Sequence, residues 1–196
     1  MRAPLLVVLT GPSGVGKDSL LGYIRSLDRP GYHFSVNATT RAPREGEVDG
    51  VDYAFVTVDE FERLLADGEL LEHAMVYGQH KGVPKRPIRD ALAAGKDVLL
   101  RADIQGARTI KSLVPGAIVI FVAPPSTDEL ERRLRDRAAD TPEQTELRLQ
   151  TAREEMASAP DFDYTVVNED LAECVEEIEA ILDRERARPG RTVVRL

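Results

Sequence analysis

The sequence predicts one α/β domain in which helices cover both faces of a mostly parallel sheet. Short apolar runs, such as those at 5–10 and 117–124, are typical of strands buried on both faces. Segments with helical periodicity separate these runs, and alternating strands and helices favour parallel pairing. A glycine-rich turn at 11–17 joins the first run to the first helix, and 196 residues suffice for one core with small subdomains.

The composition narrows the class of protein. A formal charge of −8 argues against general binding to nucleic acid or to anionic membranes. The first apolar run is too short to cross a bilayer and lacks a small-residue cleavage site, which favours a buried strand over a signal peptide. Cys174 is the one cysteine of the chain. It allows no internal disulfide, fits a reducing compartment and is expected as a buried filler in a late helix. We therefore predict a cytoplasmic protein.

The segment after the glycine-rich turn predicts a helix and then a β-rich region. Leucine and isoleucine recur at helical spacing until "DRPG" at 28–31 ends the helix. Residues 33–57 are β-rich on either side of a charged, glycine-containing stretch. Asp59 is predicted to cap a short helix, with Glu62 completing a capping box and Gly68 at the helix end.

The second half of the chain continues the alternation. Predicted strands occupy 69–78, 97–103, 117–124 and 163–168, and predicted helices occupy 85–95, 126–137 and 171–188, with a further helix ending near 157. Ser126 and Glu129 are predicted to form a second capping box. Residues 137–148 are a polar, proline-bearing interruption. This interruption and the β-rich insert near 35–83 are expected to sit on the core as mobile lobes.

The glycine-rich turn predicts a phosphate-binding loop. Gly11, Gly16 and Lys17 satisfy G-x-x-x-x-G-K between a predicted strand and a predicted helix. In such a loop, backbone N–H groups and the helix N-terminus face the phosphates, and the lysine adds a full charge. The alternative is a structural turn with a surface lysine. The residues predicted to bind ATP here are Gly11, Pro12, Ser13, Gly14, Val15, Gly16, Lys17, Asp18 and Ser19.

Asp18 stands where such loops carry a Ser or Thr that holds magnesium. A carboxylate is a charged oxygen ligand that also suits Mg²⁺. We therefore predict that Asp18 contacts Mg²⁺ directly or through water. The alternative is a carboxylate that only stabilises the positive end of the helix dipole. Ser19 points about 100° further round the helix and is a poor substitute.

A second cluster of phosphate-binding residue types lies at 39–56. Arg41 and Arg44 are suited to bidentate capture of a second phosphate, and Tyr53 adds a hydroxyl donor. By itself this cluster could be a solvated basic turn. Together with the glycine-rich loop, it predicts a donor site and an anionic acceptor site on one domain, and hence phosphoryl transfer.

The chain resembles the guanylate kinase family from residue 5 to about 185. The segment 39–55, "TTRAPREGEVDGVDYAF", is similar to the family signature without a gap, and "ADIQGA", "APPSTDELERRL" and "DYTVVNEDL" follow in the expected order. The resemblance implies a P-loop kinase with three working parts. These are a core (1–34, 84–126 and 149–196), a β-rich lobe that binds the nucleoside monophosphate (35–83), and a small lid (127–148).

The resemblance also implies roles for individual residues. Arg41, Arg44 and Tyr53 would hold the phosphate of the acceptor, and Glu72 would accept hydrogen bonds from guanine N1 and N2. Lid residues Arg137 and Arg148 would flank the transferring phosphoryl group as catalytic residues beside Lys17, unless they belong to a solvated helix face. Asn168 would lie near adenine. Asp103 would bind the acceptor and would also contact Mg²⁺.

Four positions depart from the family pattern. Lys81 replaces a tyrosine that serves the acceptor phosphate, and Val83 replaces a hydroxyl residue that helps to recognise guanine O6. Asn37 stands where a serine is usual, and Arg101 replaces an acidic residue. These changes are either neutral drift or a sign of weaker guanine selectivity and a more negatively charged acceptor.

The predicted reaction is transfer of a phosphoryl group from ATP to GMP with Mg²⁺ as cofactor. The first alternative is a ribose 1,5-bisphosphate phosphokinase, since those relatives also carry "GKDSLL". The second is a protein-binding module without catalysis, although such modules lack the working loop that is present here. His33, His73 and His80 have no ligand-like spacing with Cys174, which excludes a metal-dependent hydrolase.

Overall fold

The computed structural model describes residues 3–76, 78–135 and 142–196, with the backbone alone for Val76, 142–145 and Arg148. The strands are β1 (Leu6–Thr10), β2 (Tyr32–Phe34), β3 (Ala38–Thr39), β4 (Ala54–Phe55), β5 (Leu70–Val76), β6 (Gln79–Pro84), β7 (Asp97–Arg101), β8 (Ile118–Ala123) and β9 (Tyr164–Val167). The helices are α1 (Lys17–Ser26), α2 (Val58–Ala66), α3 (Lys85–Ala93), α4 (Ile104–Leu113), α5 (Thr127–Arg135), α6 (Pro142–Met156) and α7 (Leu171–Ala187), with a 3₁₀ turn at Ala159–Asp161.

Two sheets organise these elements. The larger sheet has five parallel strands in the order β2-β7-β1-β8-β9. The smaller sheet has the order β4-β3-β6-β5, in which β3 and β4 are parallel and the other pairs are antiparallel. Its strands come from the β-rich region of the sequence. The β2 strand, by contrast, joins the larger sheet.

The core lies on both faces of the larger sheet. Leu6 and Val8 of β1 pack with α3 and α4 on one face, whereas Leu5, Val7 and Leu9 pack with α1 and α7 on the other. Successive strand side chains point to opposite faces, so a continuous apolar run is what a sheet with two covered faces requires. The predicted fold class is confirmed. Cys174 is buried in α7, as predicted.

The carboxyl edge of this sheet brings the site residues together. The chain leaves β1 at Thr10 and enters the glycine-rich loop, and Leu9 is paired with Arg101, which ends the neighbouring β7. Parallel strands deliver their carboxyl ends to one edge, where ligands of α/β proteins bind. The loop and the end of β7 are therefore neighbours in space.

The prediction for the start of α2 was wrong by two residues. The cap is Thr57, whose Oγ1 accepts a hydrogen bond from the Glu60 N–H at 3.2 Å, while the Glu60 carboxylate accepts from the Thr57 N–H at 2.8 Å. Asp59 lies in the first helical turn instead. Two overlapping capping-box patterns are present in the sequence. Phe61, inside α2, is fully buried against the smaller sheet.

Two predictions around α5 and α6 also need correction. Helix α6 begins at Pro142, inside the segment predicted as a polar interruption, and proline is well tolerated in a first helical turn. Ser126 Oγ accepts from the Glu129 N–H at 3.1 Å. However, the Glu129 carboxylate binds Arg132 and Arg133 rather than the backbone. One half of the predicted capping box is therefore present.

The C-terminal tail packs beside the start of β1. Arg191 donates hydrogen bonds to the carbonyl oxygens of Ala3 and Pro4 at 2.5 and 3.3 Å, and Val194 is buried. The tail thus lies at the amino edge of the larger sheet, away from the glycine-rich loop. Among the helices that the structure describes, none is long and apolar enough to span a bilayer.

Candidate active site

The glycine-rich loop is shaped by close backbone approach. A Cβ atom at Gly11 would lie 2.2 Å from the carbonyl oxygen of Val122 in β8, and the φ of Gly11 is +139°. Gly16 has φ +95° and forms the N-cap of α1. An L side chain is strained at either position. The sequence can therefore form this loop beside β8 because it places glycine at both points.

Lys17 lies folded over the loop. Its Nζ donates hydrogen bonds to the carbonyl oxygens of Gly11 and Pro12 at 2.7 and 3.1 Å. Burial lowers the pKa of Lys17 to about 8, an effect that the nearby carboxylates of Glu155, Asp18 and Asp103 partly oppose. The ammonium is thus held by neutral acceptors at the place where the sequence predicts a phosphate.

Glu155 is a site residue that the sequence analysis missed. It comes from α6, and its Oε2 accepts a hydrogen bond from the Ser13 N–H of the loop at 3.3 Å. Burial raises the pKa of Glu155, and the Lys17 charge acts in the opposite sense. A carboxylate therefore contacts an N–H group that the sequence assigns to ATP phosphates. The two residues are 142 positions apart, and no local pattern in α6 signals the contact.

Asn168 is hydrogen-bonded to the backbone of the glycine-rich loop. Its Nδ2 donates to the Val15 carbonyl oxygen at 2.7 Å, and a Cβ at Gly16 would lie 2.6 Å from the same nitrogen. The Asn168 side chain is buried. Its predicted contact with adenine stays a prediction, whereas its contact with the loop is direct.

Asp18 and Arg101 form an ion pair at the start of α1. The distance between Arg101 Nη1 and Asp18 Oδ1 is 2.5 Å, and the Asp18 side chain is 68% exposed. Ser19, the next residue, is exposed. One carboxylate oxygen of Asp18 is thus directed to a cation of the protein, and its predicted contact with magnesium stays a prediction.

Arg101 also reaches the β-rich segment. Its Nη2 donates to the Asp52 carbonyl oxygen at 2.6 Å, and its guanidinium lies 4.5 Å from the centre of the Tyr53 ring. The Arg41 guanidinium lies 4.7 Å from the same ring. Tyr53 therefore contacts two cations, Arg41 of the β-rich segment and Arg101 at the end of β7.

The Arg41 guanidinium is held by Glu47. Two parallel hydrogen bonds join them, from Nη1 to Oε2 at 2.6 Å and from Nη2 to Oε1 at 2.5 Å. The Arg41 hydrogen bond, supported by the backbone N–H of Arg44, lowers the pKa of Glu47 to about 2. The Arg44 side chain is exposed and, within the described part of the chain, has no ion-pair partner. Glu47 fixes one arginine and leaves the other available.

Glu72 and Asp103 bring two carboxylates together near the start of α4. Asp103 caps α4 by accepting from the Gly106 N–H at 2.7 Å. A Cβ at Gly106 would lie 3.0 Å from the Glu72 carboxylate. Burial, with a smaller effect of Asp103, raises the pKa of Glu72 to about 7. No hydrogen-bond donor of the described residues satisfies the Glu72 carboxylate, so it is available to a ligand that presents N–H groups.

The departures from the family pattern have different surroundings. Lys81 is half-buried in β6, opposite Thr39 of β3. Asn37 donates from Nδ2 to the Arg101 carbonyl oxygen at 3.0 Å. Val83 is fully buried and packs in the apolar core with Leu71 and Ile88. Val83 therefore belongs to the core, and its predicted contact with an acceptor stays a prediction.

The predicted lid and metal residues are only partly described. Arg137 and the Arg148 side chain lie outside the described residues. No cluster of three or more His, Cys, Asp or Glu side chains suited to a metal occurs in the described part of the chain. Mg²⁺ in kinases is held largely by substrate phosphates and waters with one or two carboxylates. The exposed carboxylate of Asp18, beside the loop, fits that kind of site.

Together, the parallel sheet, the loop at its carboxyl edge and the arginine cluster define a P-loop kinase. Residues 3–185 match the family model of guanylate kinase. The guanylate kinase of Gloeobacter violaceus is 49% identical over 92% of this chain and 87% of its own length. That of Carboxydothermus hydrogenoformans is 43% identical over 100% and 96%. The crystal structure of the Anaplasma phagocytophilum guanylate kinase superposes with a TM-score of 0.79 at 36% identity and covers 98% of this chain and 92% of that one. The chain belongs to the guanylate kinase family.

Proposed function

We propose that the protein transfers the γ-phosphoryl group of ATP to GMP and produces ADP and GDP. One observation carries this proposal: a continuous line of contacts joins the phosphate loop to the arginine cluster. The line runs from Asp18 through Arg101 to Tyr53 and Arg41. Two polyanions bound at its ends would meet near Arg101, which is the arrangement that phosphoryl transfer between two nucleotides requires.

The acceptor side fits a guanine nucleotide. Arg41, held by Glu47, and the exposed Arg44 are suited to the phosphate of GMP. Tyr53 and Lys81 add further donors. Glu72 offers a largely buried carboxyl group that no donor among the described residues satisfies. When ionised, it can accept hydrogen bonds from guanine N1–H and N2–H, whereas adenine presents an acceptor at N1. Asp103 and Asn37 complete this proposed pocket.

In the proposed mechanism the protein supplies position and charge rather than covalent chemistry. The loop N–H groups and Lys17 bind the β- and γ-phosphates of ATP, and Lys17 leaves the carbonyl oxygens of Gly11 and Pro12 to do so. Arg137 and Arg148 are proposed to close over the phosphates from the lid at 127–148. The core (1–34, 84–126 and 149–196) and the acceptor lobe (35–83) form the other two working parts.

Magnesium is proposed to bind through Asp18, directly or through water, and through the phosphates, with Asp103 as a second carboxylate. When bound, the ion neutralises charge on the phosphate oxygens. The exposure of the Asp18 side chain supports this assignment. We place the reaction in the cytoplasm because the single, buried Cys174 suits a reducing compartment.

A panel of acceptors tests the proposal. ADP release from ATP and Mg²⁺ is measured with GMP, dGMP, AMP, CMP, UMP and ribose 1,5-bisphosphate, each against a no-acceptor control. We expect GMP to give the highest kcat/KM. Preference for ribose 1,5-bisphosphate would replace GMP with a sugar phosphate as the acceptor. ADP release that no acceptor raises above the control would favour a binding module and overturn the proposal.

A further inference from the structure

Two unusual residues of this chain face each other across the site. Asp18 stands where P-loops carry a hydroxyl residue, and Arg101 ends β7 beside the loop. Their side chains form one ion pair. Within the same cluster, Arg101 is one of the charges that influence the Lys17 ammonium. The two departures are thus a single structural feature at the centre of the proposed site.

The guanidinium of Arg101 is held by contacts of unequal strength. Its Nη2 donates to the Asp52 carbonyl oxygen, and its plane lies near the Tyr53 ring. The Arg101 side chain is 17% exposed, whereas its partner Asp18 is 68% exposed. Water competes with the guanidinium for the exposed Asp18 carboxylate and so weakens this ion pair. The contacts to Asp52 and Tyr53 therefore fix the guanidinium, and the contact to Asp18 is the one that exchanges readily.

We propose that Arg101 is a catalytic residue whose guanidinium contacts the phosphoryl group as it passes from ATP to the acceptor. In the resting protein the Asp18 carboxylate occupies the place of that anion. This inference rests on the proposed function and adds a cation that the lid does not supply. This role would be particular to this chain, because the family pattern carries an acidic residue at this position.

Arg101 neither gives nor takes a proton or an electron in the proposed phosphoryl transfer. An oxygen of the acceptor phosphate forms a bond to the γ-phosphorus while the bond from that phosphorus to the bridging oxygen breaks. ADP leaves with the electron pair. Negative charge is spread over the equatorial oxygens during this exchange. A planar guanidinium that is already oriented by Asp52 and Tyr53 can donate two hydrogen bonds to those oxygens with little reorganisation.

The competing interpretation is purely structural. Arg101 contacts α1 through Asp18 and the β-rich segment through Asp52 and Tyr53. It could brace these elements without contacting substrate. If Arg101 is only a structural brace, its removal lowers the melting temperature and substrate affinity. The effect of its removal then depends on whether its partner Asp18 is present. If Arg101 instead contacts the phosphoryl group, its removal lowers kcat whether or not Asp18 is present.

A double-mutant cycle on the full chain separates these interpretations. The variants are Arg101→Met, Asp18→Asn and the double variant, with Arg101→Lys as the conservative change. Arg89→Met is the control, because Arg89 pairs with Glu69 on the surface outside the proposed site. Each protein is assayed for kcat and for the KM of ATP and GMP, and its melting temperature is recorded.

We expect Arg101→Met to lower kcat by about 10²- to 10³-fold, as for other transition-state donors, in both the wild-type and the Asp18→Asn backgrounds. Arg101→Lys should recover part of that loss, and Arg89→Met should leave kcat unchanged. The inference is overturned if Arg101→Met keeps kcat within about threefold, or if its effect disappears in the Asp18→Asn background. A wild-type protein that no acceptor activates would instead overturn the proposed function itself.

Discussion

The two halves of the proposed site hold their cations in opposite ways. The Lys17 ammonium rests on two neutral carbonyl oxygens, and burial lowers its pKa to about 8. The Arg41 guanidinium is bound by a carboxylate through two hydrogen bonds, and the pKa of Glu47 falls to about 2. A cation without a close anion of its own gains most from an incoming phosphate, whereas a paired cation is fixed in direction before the ligand arrives.

The difference suggests a division of labour. On the loop side, the Lys17 ammonium is hydrogen-bonded to neutral carbonyl oxygens and feels nearby carboxylates only through space. The ATP phosphates can therefore supply the negative charge that contacts it directly. On the acceptor side, one arginine is committed to orientation and Arg44 remains available for charge. Substitutions on the loop side should therefore change the rate most, and those on the acceptor side should change GMP affinity most. The predictions below test this contrast in order of expected effect.

Lys17→Ala should have the largest effect. Loss of the loop cation should lower kcat by about 10³-fold, comparable to the loss of other phosphate-stabilising groups. The melting temperature should change little, because the Lys17 ammonium is held by hydrogen bonds to two carbonyl oxygens of the loop. Lys96→Ala, at an exposed position, is the matched control. Turnover that survives in Lys17→Ala would remove the catalytic assignment.

Glu47→Gln should act on affinity rather than rate. Without the carboxylate, Arg41 loses its two-point orientation, and the KM for GMP should rise by roughly 10- to 100-fold while kcat falls much less. Because the folded pKa of Glu47 lies below 4.5, its contribution to stability is complete above pH 4.5. It should be lost as the pH falls toward 2. An equal fall in kcat would contradict the division proposed above.

Glu72 predicts a pH dependence for GMP binding. With a pKa of about 7, its carboxyl group is protonated at lower pH and can then accept fewer hydrogen bonds from guanine. The dissociation constant of GMP, measured by calorimetry between pH 5.5 and 8, should be lowest above pH 7. It should rise by up to about tenfold per pH unit below that value. Glu72→Gln should remove this component, leaving only the titration of GMP itself.

The sequence predicts those parts of the site in which the interacting residues lie close together along the chain. The loop, Arg41 and Arg44 follow from local spacing and from the family signature, which the comparisons support at the level of the family. The start of α2 was misplaced because local rules allow two overlapping capping boxes, and the structure forms the one at Thr57 and Glu60. A motif can be recognised from the sequence when the residues that interact in it lie within one short segment.

Contacts between distant segments escaped prediction for a physical reason. Asp18 and Arg101 were each identified as unusual, but their pairing depends on the alignment of β1 with β7. Val83 was singled out from its alignment with a hydroxyl residue, and its packing in the apolar core could not be foreseen from local spacing. Its contact with the acceptor stays a prediction. Glu155 gave no signal at all, because a glutamate in a polar helix is ordinary until the fold brings it to the loop.

Substitution of Glu155 should have the smallest effect. It tests whether the charge of Lys17 is left available for the ATP phosphates. Its carboxylate contacts the Ser13 N–H and lies in the field of Lys17, where the ATP phosphates are proposed to bind. ATP must displace or outcompete it. Glu155→Gln should therefore strengthen ATP binding by about fivefold, the scale of a partly screened charge interaction. Glu154→Gln, at the exposed neighbouring position of α6, should leave ATP binding unchanged. If calorimetry instead finds weaker ATP binding in Glu155→Gln, the carboxylate organises the loop for the nucleotide, and the charge of Lys17 is not left available for the ATP phosphates.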